Sequence, residues 1–131
     1  MSAIRYKDFE NWLIKYGNAW ENGDLDAMPV LFTSDARFYE TPFDDPMKSL
    51  DEIYKYWKDN AVFGRKEVHF SHEVLAVYKN VDLAHWRANF IRLHSGHRVK
   101  LDGILKTEFS DDGKCQIFRE WWHHLEETAS E

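Results

Sequence analysis

Residues 68–77 read Val68-His69-Phe70-Ser71-His72-Glu73-Val74-Leu75-Ala76-Val77. Val68, Phe70, His72, Val74 and Ala76 alternate with His69, Ser71, Glu73, Leu75 and Val77. A side-chain period of two belongs to a strand, with one set of residues on each sheet face. Three more segments of the same kind come after it: Leu83 to Arg92, Val99 to Phe109 and Cys115 to His124. Ser95-Gly96 and Asp111-Asp112-Gly113 supply turns between them. Successive turn-bounded strands predict an antiparallel meander.

Upstream of residue 68 the period is near 3.6. From Tyr6 to Asn22, Phe9, Leu13, Tyr16 and Trp20 recur at steps of three and four, with Trp12 and Ala19 widening the stripe. That pattern predicts an amphipathic helix, with Gly23 just past its end and Asp24 capping the next segment. A short second helix passes through Leu25, Met28, Leu31 and Phe32, with Pro29 kinking it or opening its last part. A first strand is expected from Ala36 to Thr41, closed by Pro42. Ser49-Leu50-Asp51-Glu52 matches a capping box, so a third helix starts near Leu50, carries Ile53, Tyr56 and Trp57, and ends between Asn60 and Gly64. From Glu126 the tail is polar and is expected to fray. Helices first and strands after predict one α+β domain over residues 1–131, with its core at about 6–124.

The chain has 131 residues, 44% apolar and 31% charged, which favours a folded core over disorder. A net charge of −6 argues against a nucleic-acid binder and against docking on anionic lipid. No stretch is long and apolar enough for a membrane span. The single cysteine, Cys115, rules out an internal disulfide, and a cytoplasmic location is expected. Aromatic residues reach 16%, with six Trp, six Tyr and nine Phe. Rings in that number either fill a core or line a ligand cavity.

Several segments together resemble a known family. They are Tyr16 to Phe32 with its Gly23-Asp24 step, Asp35-Ala36, the segment Tyr39-Glu40-Thr41-Pro42 and the helix Leu50 to Trp57. Leu101-Asp102-Gly103, the Asp112-Gly113 turn and Arg119-Glu120-Trp121-Trp122 complete the set. In this order they are similar to SnoaL-like and ketosteroid-isomerase-like proteins. The resemblance implies a cone-shaped, curved antiparallel sheet packed against three N-terminal helices: the nuclear-transport-factor-like, cystatin-like fold. It also implies a small apolar or aromatic ligand in the cone and a homodimer. The outer sheet face, with His85, Arg87, Asn89, Ile91, Leu75 and Val77, is the expected dimer surface.

Isomerases of this kind use a carboxylate base and two oxyanion donors, a tyrosine and a neutral aspartic acid. The tyrosine precedes the Gly-Asp aspartate by eight residues, which gives Tyr16 here. An ungapped count gives Glu40 as base, whereas anchoring on Pro42 leaves Thr41 there. The aspartic acid position falls on Leu105, so steroid isomerisation is not expected. Glu40, two residues beyond Phe38 on the same face, is the expected general base. Glu120 alternates with Phe118 and Trp122, which makes it a second acid/base or orienting group. Tyr16 is the expected donor to a substrate oxygen. Trp20, Tyr56, Trp57, Trp86, Phe90, Leu105 and Trp122 are the expected pocket walls. Strict alternation turns Asp102 away from the cone.

The seven histidines do not pair at metal-ligand spacing. His69 and His72 point to opposite faces, as do His123 and His124, and His94 and His97 have no acid or cysteine nearby in sequence. No glycine-rich phosphate loop is present, so neither metal nor cofactor is expected. The functional expectation is cofactor-independent proton transfer of the isomerase, cyclase or hydratase type, on a mostly apolar compound bearing a carbonyl or hydroxyl. The alternative is a non-catalytic ligand-sensing or dimeric assembly domain.

Overall fold

The structure, a computed structural model, describes residues 2–128. Helix α1 spans Ser2–Asn22 and is succeeded by a 3₁₀ turn, Leu25–Ala27, and a four-residue helix α2, Met28–Leu31. Strand β1 spans Phe32–Tyr39. Helix α3 spans Leu50–Tyr56 and widens into a π-turn over Trp57–Val62. Four long strands complete the chain: β2 Arg65–Tyr78, β3 Val81–Arg92, β4 Arg98–Phe109 and β5 Cys115–Glu127. Among the described residues no helix is long and apolar enough to cross a membrane.

The sheet is curved and open, in the order β1-β5-β4-β3-β2. Strands β2 to β5 form the expected antiparallel meander. Strand β1 joins β5 in parallel, with Phe38 beside Phe118 and Tyr39 beside Arg119. A parallel neighbour needs a long crossover, and α3 with the meander supplies it. β1 also starts earlier than expected, because α2 ends at Leu31 and Phe32 is already extended. Of the tail expected to fray from Glu126, Glu126 and Glu127 are paired with Val99 and Arg98 at the end of β5, and residues 129–131 lie outside the described residues.

The stripe Phe9, Trp12, Leu13, Tyr16, Ala19 and Trp20 is buried, as the 3.6 period requires. α1 lies across β2, and Gly17 permits the close approach: a Cβ there would sit 2.7 Å from the Phe70 ring. Polar ties align the two elements. Glu21 accepts the Phe70 backbone N–H at 2.9 Å, and Glu10 bonds His72 at 3.0 Å. At the other end of the helix, Arg5 donates to the buried Asp82 of β3 at 2.7 Å.

Much of the aromatic excess fills the space between α1 and the sheet. Trp12 stacks on Tyr16 at 5.1 Å, and Phe38 stacks on Phe118 at 4.4 Å. One expected face assignment is overturned here. The β2–β3 register shifts between Val74 and Ala76, so Leu75 stays outside while Val77 crosses to pack on the core. A bulge reverses the alternation beyond it, which removes Val77 from the outer face.

Candidate functional site

A cavity of about 390 Å³ remains where the ring-filled core stops. Its inner wall is Trp57, Trp86, Phe38 and Glu120, all buried. Its edge carries Asp59, Asn60, Phe63 and His94, all exposed. The π-turn accounts for this asymmetry: Trp57 begins it inside, and the widened turn brings Asp59 and Asn60 to the rim.

Glu40 lies just past β1 and is held at several points. The Trp122 indole N–H donates to its backbone carbonyl at 3.0 Å, and the Tyr56 hydroxyl donates to its Oε1 at 2.9 Å. Two backbone hydrogen bonds between Phe38 and Met47 clip the strand end beside it. Tyr56 is aimed there because Ser49 caps α3, its hydroxyl accepting the Glu52 N–H at 3.2 Å. Thr41 instead donates to Asp44 at 2.6 Å and does not line the cavity. Of the two counts, the ungapped one falls on the residue that lines the cavity.

Glu120 projects from β5 on the same inner face, only 7% exposed. Burial, and then the charge of Glu40, hold its carboxyl well above the usual carboxylate range. Burial, and then the charges of Glu40 and Glu120, push the Tyr56 hydroxyl up, so it remains a proton donor. The cavity is thus bordered by a buried carboxyl, Glu120, whose neutral form burial favours, and by Glu40, whose side chain the Tyr56 hydroxyl orients. Burial also pushes the Cys115 thiol up, which leaves it inert as a nucleophile.

The structure brings Glu40, Glu120, Trp20, Tyr56, Trp57, Trp86 and Trp122 to this cavity. Three expected site residues lie elsewhere. Tyr16 is fully enclosed by Trp12, Trp57, Phe70 and Phe118, because α1 sits so close to the sheet. Burial, and then Glu120 once it ionises, push its hydroxyl up, but Tyr56 is the phenol that borders the cavity. Leu105, the register partner of Glu120, belongs to the packed core. Phe90 is buried beneath the Arg65 guanidinium, whose carbon is 4.1 Å from its ring centre.

Arg65 is the main residue that sequence reasoning missed. Counting from Val68 puts it on the outer face. A register shift between Lys66 and His69, with Glu67 at φ 52°, turns it inward. Leu101 and Arg92 also line the cavity unforeseen. Leu101 shares its face with Gly103 and Leu105, a signal that was present. Among the described residues, no group of three or more His, Cys, Asp or Glu side chains is placed to hold a metal.

A curved sheet capped by three helices around a carboxyl-bearing hollow defines a class of small α+β proteins. Within it, the SnoaL-like domain model matches residues 13–117, and the chain belongs to that family. One similar solved structure is the epoxide hydrolase/cyclase-like enzyme SalBIII of pyran ring formation in the polyether salinomycin. It has a TM-score of 0.75 and 19% identity, over 87% of this chain and 89% of that one. Another is a Mycobacterium tuberculosis LEH-like epoxide hydrolase, with a TM-score of 0.67 and 17% identity, over 89% of this chain and 84% of that one. No curated protein sequence matches.

Proposed function

We propose that this chain is a small-molecule enzyme working by general acid–base proton transfer. Its substrate is a mostly apolar compound carrying a carbonyl, hydroxyl or epoxide oxygen. The observation that carries the reading is the pair of carboxyls on one ring-walled cavity, with Glu120 kept neutral by burial and Glu40 held by Tyr56. Glu120 delivers a proton to the substrate oxygen, and Glu40 removes one from the attacking or ionising group. Tyr56 orients Glu40. Carboxyls suffice for such a step, so it requires no cofactor. Opening or closing an oxygen ring needs the same two transfers, which accords with the reactions named for the two structural neighbours.

The test uses two probe sets: aryl ketones in D₂O, read by exchange beside the carbonyl, and aryl epoxides, read by diol or cyclic ether. Turnover above the uncatalysed rate is expected with at least one set. Only neutral Glu120 can donate, and its folded-state pKa is raised. The rate therefore persists above the ordinary carboxylate range and falls as rising pH ionises Glu120. No acceleration of either set, or a rate that climbs steadily into alkali, overturns the reading.

We further propose that the outer sheet face joins two copies. Trp121 and Leu75 stand 43% and 50% exposed there, around a patch in which Asp102 bonds His85 at 2.8 Å and Arg87 at 2.9 Å. Light scattering at micromolar concentration should give a dimer mass, and Trp121→Glu should give a monomer. A monomeric wild type would remove the proposal.

A further inference from the structure

We infer that the substrate of this cavity bears a carboxylate, and that Arg65 is the residue that receives it. The inference rests on the acid–base reading above and narrows its substrate class.

The Arg65 guanidinium borders the cavity, clamped over the rings of Phe90 at 4.1 Å and Trp20 at 5.5 Å. Such stacking fixes the arm and leaves the guanidinium edge for hydrogen bonding. Yet among the described residues no carboxylate lies within ion-pair distance of it, although the chain carries 23 acidic side chains. Its Nη1 is buried without a hydrogen-bond partner. The other arginine of the cavity, Arg92, is already taken by Glu126 at 3.1 Å. Burial lowers the Arg65 pKa to about 10, so the group still carries its charge at neutral pH. A half-buried, unpaired cation is costly to keep, and an anion supplied by the ligand offsets that cost.

The indole N–H groups of Trp20 and Trp86 are buried without partners, and both residues line this cavity. The hollow is therefore bordered by two sets of groups, the cationic Arg65 and the acids Glu40 and Glu120. Tyr56 connects the two sets, since its hydroxyl bonds Glu40 and also feels the Arg65 charge. Two acids in one small space disfavour a dianion such as a phosphate monoester. One free guanidinium balances one negative charge, and a flat carboxylate matches its fork. The volume, about 390 Å³, is near the lower end of the roughly 300–1,000 Å³ typical of ligand sites. Indole walls favour a ring. The substrate class is thus a small ring-bearing acid whose reacting oxygen sits at the Glu40–Glu120 end.

The experiment compares aryl acids with their own methyl esters, for example 4-oxo-4-phenylbutanoic acid and 2-naphthylacetic acid. Binding is monitored at pH 7 by quenching of the cavity tryptophans and by calorimetry. A charge-assisted hydrogen bond predicts that acids bind the wild type about tenfold or more tightly than their esters. Arg65→Gln should erase that ratio by weakening the acids alone, with ester affinity unchanged. Arg65→Lys, which keeps the charge but not the fork, should retain an intermediate ratio. Esters binding the wild type as tightly as acids would overturn the inference and leave the acid–base reading standing. So would an acid preference that survives Arg65→Gln. If neither acids nor esters bind, the cavity is not a site for such molecules and both readings fall.

Discussion

Glu40→Gln lowers turnover by about 10²- to 10⁴-fold, the usual contribution of a positioned general base. The substitution is close to isosteric. The amide oxygen of glutamine can still accept the Tyr56 hydroxyl bond now made at 2.9 Å. The Trp122 bond ends on the backbone carbonyl and is indifferent to the side chain. What disappears is the capacity to take a proton. The loss should therefore fall on kcat, with KM and the thermal unfolding midpoint close to wild type. Steady-state kinetics on the best ketone or epoxide probe, with a melting curve beside it, decide the matter. Turnover within about threefold of wild type would take Glu40 out of the mechanism. A matching drop in melting temperature would show that it is a structural strut instead. Tyr56→Phe separates orientation from chemistry: it removes the bond to Glu40 and leaves the carboxylate, so its effect should be smaller.

The features legible in the sequence were those with local causes. Ser49 and Glu52 announced the start of α3 by a side-chain–backbone bond within four residues, and the cap stands where expected. Phe38 and Glu40 were placed on one face by alternation, and both border the cavity. Long-range causes left no such mark. Arg65 faces inward because a bulge near Glu67 breaks the count, and nothing in the composition of residues 65–69 demands that bulge. Tyr16 was expected to present its hydroxyl to a ligand. How deep a helical residue sits depends on the spacing between helix and sheet, and Gly17 sets that spacing by admitting the Phe70 ring. The phenol that borders the cavity is instead Tyr56, on an element whose position depends on a crossover of the whole chain. The parallel pairing of β1 with β5 is of the same kind, since no local pattern specifies which sheet edge a distant strand will join.

Gly103→Ala should damage this sheet severely for a single added methyl. Gly103 lies on the inner face of β4, with Trp86 as its register partner on β3 and Trp122 on β5. A Cβ at this position would collide with the Trp121 carbonyl oxygen and stand 2.9 Å from the Trp122 Cβ. Neither obstacle is the loose end of a side chain. Both belong to the backbone region of β5, so relief requires β4 and β5 to move apart and lose ladder bonds. Overpacking of well-filled sites costs roughly 1–3 kcal/mol, and a collision with backbone belongs at the upper end or beyond. For a domain of this length, that lowers the melting temperature by about 10 °C. The same displacement reaches the site by a short route. Trp122 is the residue whose indole holds the Glu40 carbonyl, so shifting β5 unseats the base at its backbone anchor. The variant should therefore lose turnover even at temperatures where it is fully folded, and lose it in kcat. A Gly103→Ala protein that melts within about 2 °C of wild type, and turns over normally, would show that β5 yields freely there. The Trp122–Glu40 bond could then no longer be credited with placing the base.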